Sequence, residues 1–361
     1  MASQSRTPAV TRAAQILQVI ARAARPTTAS AIAHEVGIPR TSVIRICESL
    51  STERWLVRGR QGTYWIGPQV ATLAASARLS SHHGLTYAML LPNLTNTYYD
   101  ALLATAESDV AQAGGHLNVR DAGNKAAEQK KQWREALGAG TDVILVDAVE
   151  GAGYGELVEA SRQEGIPVVA IGTRIDSVDA AVTSDNVEAG LLSGNALLHR
   201  VPDDGKVGII GGLHKNANTE RIMGFIEALR HYPNVTRVGP MDGGTDDEAW
   251  GRHATDALLS RHPDVDGIFA VCDPVALGAV RTLDAYGRHV PITAVDGLRE
   301  VVEMIRVGGP VIATTAQDPE ALARKALQIA RELHDGTSPQ QHILAQPVTL
   351  ITEDNARRCN S

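Results

Sequence analysis

Arg40, Thr41, Ser42 and Arg45 lie together at the start of one amphipathic segment. An arginine can donate two bonds to a guanine edge in the major groove, and threonine or serine can bond a base or a phosphate. These are residue types of nucleic-acid readout, and the charge around them agrees. Residues 1–80 hold ten arginines, no lysine and only Glu35, Glu48 and Glu53, a net charge of +7; a chain of net −7 then leaves −14 for the remainder. A short basic head on a long acidic body implies a polyanionic partner for the head, and double-stranded operator DNA is the expected one.

The elements that would present these side chains follow from the apolar spacing. Ile16, Leu17 and Ile20, with Ala13, Ala21 and Ala24, recur at helical intervals from Val10, and Pro26 ends that helix. Thr28 is a candidate N-cap for a second helix reaching Val36, Gly37 suits a tight turn, and Ile38-Pro39 opens a third helix running to about Arg54. Helix, glycine turn and helix make a helix-turn-helix, in which the first turns of the later helix enter the major groove. Trp55 to Pro68 then reads as two short strands around a glycine-containing turn, a wing with Arg58 and Arg60 at its exposed end.

Thr11-Arg12-Ala13 through Leu17, then Ile38-Pro39-Arg40-Thr41-Ser42-Val43, then Tyr64-Trp65-Ile66-Gly67-Pro68 resemble the DNA-binding domain of the IclR family, over about residues 8–78. The sequence departs from that family at Arg54-Trp55, where a glycine is usual. The fold expected here is an α+β winged helix-turn-helix.

From Leu85 onward short apolar strands alternate with longer amphipathic helices, the pattern of a parallel sheet covered on both faces. Ten strands are expected, the first from Thr86 and the last about Val348 to Ile351. That number suits two Rossmann-like lobes with a ligand cleft beyond the strand ends. Scarce aromatics, with Phe225 and Phe269 the only phenylalanines, agree with an aliphatic α/β interior.

Eight segments of this body, in order, resemble the ribose-binding branch of the periplasmic sugar-binding proteins, whose fold also forms the effector domain of LacI-type repressors. They are Asn96-Thr-Tyr98-Tyr99, Gly172-Thr-Arg174, Ser184-Asp185-Asn186, Asn218 to Phe225, His262-Pro-Asp264-Val265, Ala270-Val-Cys272-Asp273, Val295-Asp296-Gly297 and Ala316-Gln317-Asp318. The resemblance implies the two-lobed type I fold, an α/β pair of parallel sheets. It also implies a ligand set of Asn96, Tyr98, Tyr99, Thr173, Arg174, Arg221, Cys272, Asp273, Asp296 and Gln317. In that set the arginines suit adjacent oxygens, Asp296 accepts hydroxyl protons, Asn96 and Gln317 donate and accept, and the tyrosines offer ring faces, Tyr99 being equally suited to core packing.

Two positions differ from the family. Thr173 and Cys272 stand where an aspartate and an asparagine are common, so the cleft loses acceptors. With Arg174, Arg221, His214 and Lys215 against Asp296 the balance tips positive, which would suit an acidic sugar or a sugar phosphate. Asp242, Asp246 or Asp247 returning a carboxylate from another loop would leave a neutral sugar or polyol as the simpler ligand.

The expected division is a head at 1–78, a linker at 79–84 and a body at 85–353. Its first lobe is about 85–187 with 318–346, and its second about 188–317 with 347–353. Gly151-Ala-Gly153-Tyr-Gly155 and Gly211-Gly212 lack the spacing of phosphate loops, no catalytic motif is present, and no cofactor is expected. His82-His83 has no third ligand nearby, and Cys47, Cys272 and Cys359 are too dispersed for a metal or a disulfide framework. No apolar signal core follows Met1 and no run is long enough to cross a membrane, so a cytoplasmic protein is expected. The reading is a homodimeric, or dimer-of-dimers, transcription regulator sensing a sugar, polyol or sugar acid. A ligand-insensitive cleft and an enzyme or carrier that binds nucleic acid are the competing readings.

Overall fold

The structure, a computed structural model, describes residues 8–23, 25–59, 62–70, 84–337, 339 and 341–357. They form two compact units, one before Gly84 and one from Gly84 onward. Arg60, His82, His83, Cys359 and the linker at 79–83 lie outside the described residues.

The head carries three helices, α1 (Pro8–Arg22), α2 (Ala29–Val36) and α3 (Arg40–Thr52), and three short strands, β1 (Thr27–Thr28), β2 (Leu56–Arg58) and β3 (Thr63–Ile66). The strands form an antiparallel sheet ordered β1-β3-β2, one strand more than the wing expected from the sequence. Thr28 caps α2 by accepting from the Ala31 N–H at 3.3 Å, and Gly37 closes that helix in the left-handed region at φ 71°. Ile16, Ile20, Ile32, Val43, Cys47, Leu56 and Tyr64 fill one small core. Burial raises the Cys47 thiol to about 11, so it stays protonated and unreactive.

Arg54, at the position where the IclR family favours glycine, has φ 61°. A side chain in that region is strained by roughly 1 kcal/mol. Arg54→Gly is therefore expected to stabilise the head by about 0.5 kcal/mol, the relief being partly offset by the entropy of an unfolded glycine. Native-state hydrogen exchange of the head amides in the full chain reads this directly, and a loss of protection would contradict it.

The body contains two six-stranded sheets. The first comprises β4 (Thr86–Leu91), β5 (His116–Asp121), β6 (Val143–Val146), β7 (Val168–Ile171), β8 (Ala180–Ser184) and β14 (Ile343–Gln346), in the order β14-β8-β7-β6-β4-β5, all parallel. Its β4 shows why both faces are covered: Tyr87, Met89 and Leu91 enter one core, and Ala88 and Leu90 the other. The second sheet comprises β9 (Lys206–Ile210), β10 (Thr236–Met241), β11 (Gly267–Ala270), β12 (Ile292–Asp296), β13 (Val311–Ala316) and β15 (Thr349–Thr352). Its order is β10-β9-β11-β12-β13-β15, and only β15 runs antiparallel to its neighbour.

The body thus has twelve strands among the described residues rather than ten; β8 and β14 are the additions. The chain passes between the lobes three times, after β8, after β13 and between β14 and β15. The Asn186–Leu198 helix packs in the second lobe's core and the Pro319–His334 helix in the first lobe's.

Candidate functional site

In the head, α3 buries Val43 and Cys47 and turns Arg40, Thr41 and Arg45 to solvent, with Ser42 half-buried. One helical turn separates Thr41 from Arg45, so the two share a face. Arg58 does not project freely from the wing: its Nη1 lies 3.3 Å from Glu48 Oε1 on α3, neutralising the acid nearest the readout face. Both partners are more than half exposed, so this pair adds at most about 1 kcal/mol.

In the body, the strand-end loops of both lobes converge on one buried cavity lined by Asn96, Tyr98, Tyr99, Arg221, Cys272, Asp296 and Gln317 from the expected set. Asp147, Gly172, Lys215, Ala217 and Asp246 complete it. The walls leave about 20 Å³, room for a water molecule and not for a sugar ring, so a ring enters only if the lobes part.

Each wall has a local cause. Asn96 Oδ1 accepts from the Tyr98 N–H at 2.9 Å, fixing the start of the Tyr98–Gln112 helix. Tyr98 and Tyr99 meet edge to face with ring centroids 5.2 Å apart, and both also pack in the first lobe's core. Tyr99 donates its hydroxyl to Asp147 Oδ2 at 2.7 Å. Opposite them, Arg221 donates through Nε to Asn186 Oδ1 at 3.0 Å, and through Nη1 to the Val271 carbonyl at 2.8 Å and Asp296 Oδ1 at 3.2 Å. Gln317 Nε2 donates to the same Asp296 oxygen at 2.6 Å and accepts from Ser184 Oγ at 2.7 Å, so the network joins two of the lobe crossings. Asp296 itself has φ 139°, a backbone rarely held by a residue with a side chain and characteristic of functional sites.

Three members of the expected set lie outside this cavity. Arg174 is half-buried and ion-paired with Glu220, while its carbonyl accepts from Asn216. Thr173 is buried and is not among the lining residues. Asp273 accepts from the Leu298 N–H and the Thr314 hydroxyl, each at 2.7 Å, and so fixes the loop after β12 instead of facing the ligand space.

The charge balance also departs from the expectation. Lys215 Nζ sits 3.0 Å from Asp246 Oδ2, and Asp246 accepts in addition from the Leu213 N–H and Asn218 Nδ2. Gly212 makes room for this acid: a Cβ there would clash with Asp246 Oδ1. Three carboxylates, Asp147, Asp246 and Asp296, thus face two cations, Lys215 and Arg221, and the expected positive surplus is absent.

Burial pushes the Asp147 and Asp296 carboxyls above their ordinary range, in spite of Lys215 and Arg221. Burial acts the same way on Asp246, but Lys215 and its hydrogen bonds outweigh it and hold that carboxyl low. Two buried polar atoms of cavity-lining residues, Asp147 Oδ1 and Tyr98 Oη, have no protein partner. Asp147 escaped sequence reasoning because a single acid after an apolar strand carries no spacing signal.

A family model described as periplasmic binding protein domain matches residues 87–338, well over half of the chain. The chain belongs to this family. Ahead of its periplasmic-binding-protein domain, residues 9–60 match the IclR helix-turn-helix domain, so the chain joins the two modules that its sequence resembles. The chain is 28% identical over 278 residues to the ribose import binding protein of Salmonella typhimurium, covering 75% of this chain and 93% of that protein. To the xylitol-binding protein of Mycolicibacterium smegmatis it is 26% identical over 241 residues, 65% of this chain and 68% of that protein.

Among solved structures, an ABC transporter solute-binding protein from Mycobacterium smegmatis with bound glycerol superposes with a TM-score of 0.71 at 29% identity. That match covers 76% of this chain and 96% of the other. One family model describes a helix-turn-helix domain and the other a periplasmic binding protein domain. No helix among the described residues is long and apolar enough to cross a membrane.

Proposed function

We propose that this protein is a transcription regulator whose operator affinity responds to a sugar or polyol held between the lobes of its periplasmic-binding-protein domain. The observation that carries this reading is the convergence of Asn96, Tyr98, Tyr99, Arg221, Asp296 and Gln317 on one cavity in a chain with a helix-turn-helix head. Apolar ring faces beside paired donors and acceptors are what a polyhydroxylated ring needs. Relatives named for ribose and xylitol support that ligand class.

A sugar acid or sugar phosphate fits less well, because it would bring another negative group to three carboxylates. A ligand touching both lobes favours their closed arrangement in proportion to its extra contacts there. In a homodimer, that shift changes the spacing of two recognition helices that must reach major grooves about 34 Å apart.

A thermal-shift screen against pentoses, hexoses, polyols and aldonates tests the reading. At 100 times its dissociation constant a ligand adds about 2.7 kcal/mol, a rise of roughly 5–10 °C for a domain of this size. Asp296→Ala should erase most of the rise. No shift from any compound would favour a ligand-insensitive cleft, and consumption of a stabilising compound would favour an enzyme.

A further inference from the structure

The cavity's unpartnered atoms and its excess of carboxylates narrow the ligand class, on the reading that the cleft binds a polyol. Asp147 lines the cavity and is only 3% exposed; its Oδ2 accepts from Tyr99, while its Oδ1 has no protein partner. Lys215 lies near enough to favour the ionised form of Asp147, but its recorded ion pair is to Asp246. Arg221 is likewise engaged by Asp296, Asn186 and the Val271 carbonyl. Both cavity cations are therefore engaged elsewhere, and one buried carboxylate oxygen of a cavity-lining residue has no hydrogen-bond partner.

A hydroxyl could donate to that oxygen, but a neutral ligand leaves three carboxylates against two cations in a water-poor site, where an uncompensated charge is costly. An ammonium group supplies the missing charge, and charge-assisted bonds are about twice as strong as neutral ones.

A groove of about 900 Å³ shares Asn96 and Asp246 with the cavity, and its rim carries Asp247, Glu248, Glu300 and Glu303 against Arg299. Glu248 is paired with Arg252 and Arg281, and Glu303 with Arg306, so these four acids meet four arginines and discrimination rests on the cavity itself.

We propose that the ligand is an amine-bearing polyol, an amino sugar or aminocyclitol, whose ammonium donates to Asp147 Oδ1 while a neighbouring hydroxyl bonds Tyr98 Oη. Asp147 is then the residue that sets this specificity, and Tyr98 positions the ring.

The test uses the full-length protein and isothermal titration calorimetry with matched pairs: D-glucosamine against D-glucose, D-galactosamine against D-galactose, and an aminocyclitol against its parent cyclitol. In at least one pair the amine should bind ten-fold or more tightly than its parent. Asp147→Asn, which keeps the shape and an acceptor for Tyr99, should reduce that preference to less than about three-fold. Parents that bind as well as or better than their amines, or a preference that survives Asp147→Asn, would overturn the inference and leave the sugar-sensor reading standing. Absence of binding by every member of every pair, together with no stabilisation by the wider sugar panel, would overturn both.

Discussion

Arg221→Ala should destabilise the periplasmic-binding-protein domain by about 3–5 kcal/mol, the cost of leaving a buried charge without its partner, and should abolish ligand binding. The side chains of Arg221 and Asp296 are 7% and 4% exposed, so water cannot replace the missing guanidinium. The same change strips donors from Asn186 Oδ1 and the Val271 carbonyl, both buried. Asn186 opens the helix after the first lobe crossing, and Gln317, on the same Asp296 oxygen, sits at the second. A fall in melting temperature on the order of 10 °C follows for a domain of this size. Arg221→Met combined with Asp296→Asn removes both charges and should recover at least half of the loss. Strict additivity of the two single changes would show that the pair is not the source of the effect.

The pH dependence has a definite sign. Burial raises the Asp296 carboxyl above its ordinary range and Arg221 opposes that rise, so removing Arg221 raises it further. A carboxyl whose folded value lies above the unfolded value of about 3.9 contributes its stability below that value and loses it as pH climbs through the folded one. The deficit of Arg221→Ala relative to wild type should therefore be smaller at pH 5 than at pH 8. Urea unfolding at the two pH values checks this, and a larger deficit in acid would contradict it.

The fold was legible because strand alternation and helical spacing are local signals, and the cleft was legible where a motif occupies a loop. Long-range pairing has no such signature. Asp147 becomes a cavity residue only through Tyr99, 48 positions away, and Arg174 is taken up by Glu220, 46 positions away. The positive balance expected from counting arginines and lysines therefore failed, because the sequence does not say which acid meets which base.

Two strands were hidden for different reasons. β8 begins with paired alanines of low strand propensity, although every residue in it is buried. β14 is a four-residue edge strand with alternate exposure, just before Pro347. The double glycine at 211–212 lacks a phosphate-loop spacing, and the structure gives Gly212 another use, the close approach of the buried Asp246 carboxylate.

Arg45→Ala should weaken operator binding by about 1–3 kcal/mol and random-sequence binding far less, because base-edge contacts carry discrimination whereas phosphate contacts do not. The change is structurally mild: Arg45 is exposed on α3, opposite Val43 and Cys47, and the bond from Ser49 Oγ to its carbonyl at 3.1 Å survives truncation. Arg58→Ala should behave differently. It removes a cation from the wing and unmasks Glu48, which then repels phosphate. Its loss should be similar on operator and random DNA, with the salt slope of log K reduced by about 1. Fluorescence-anisotropy titrations of both variants on both DNAs at three salt concentrations separate the roles. Equal losses for Arg45→Ala on operator and random DNA would assign that arginine to the backbone, and base readout would then have to come from Arg40, Thr41 and Ser42 at the start of the same helix.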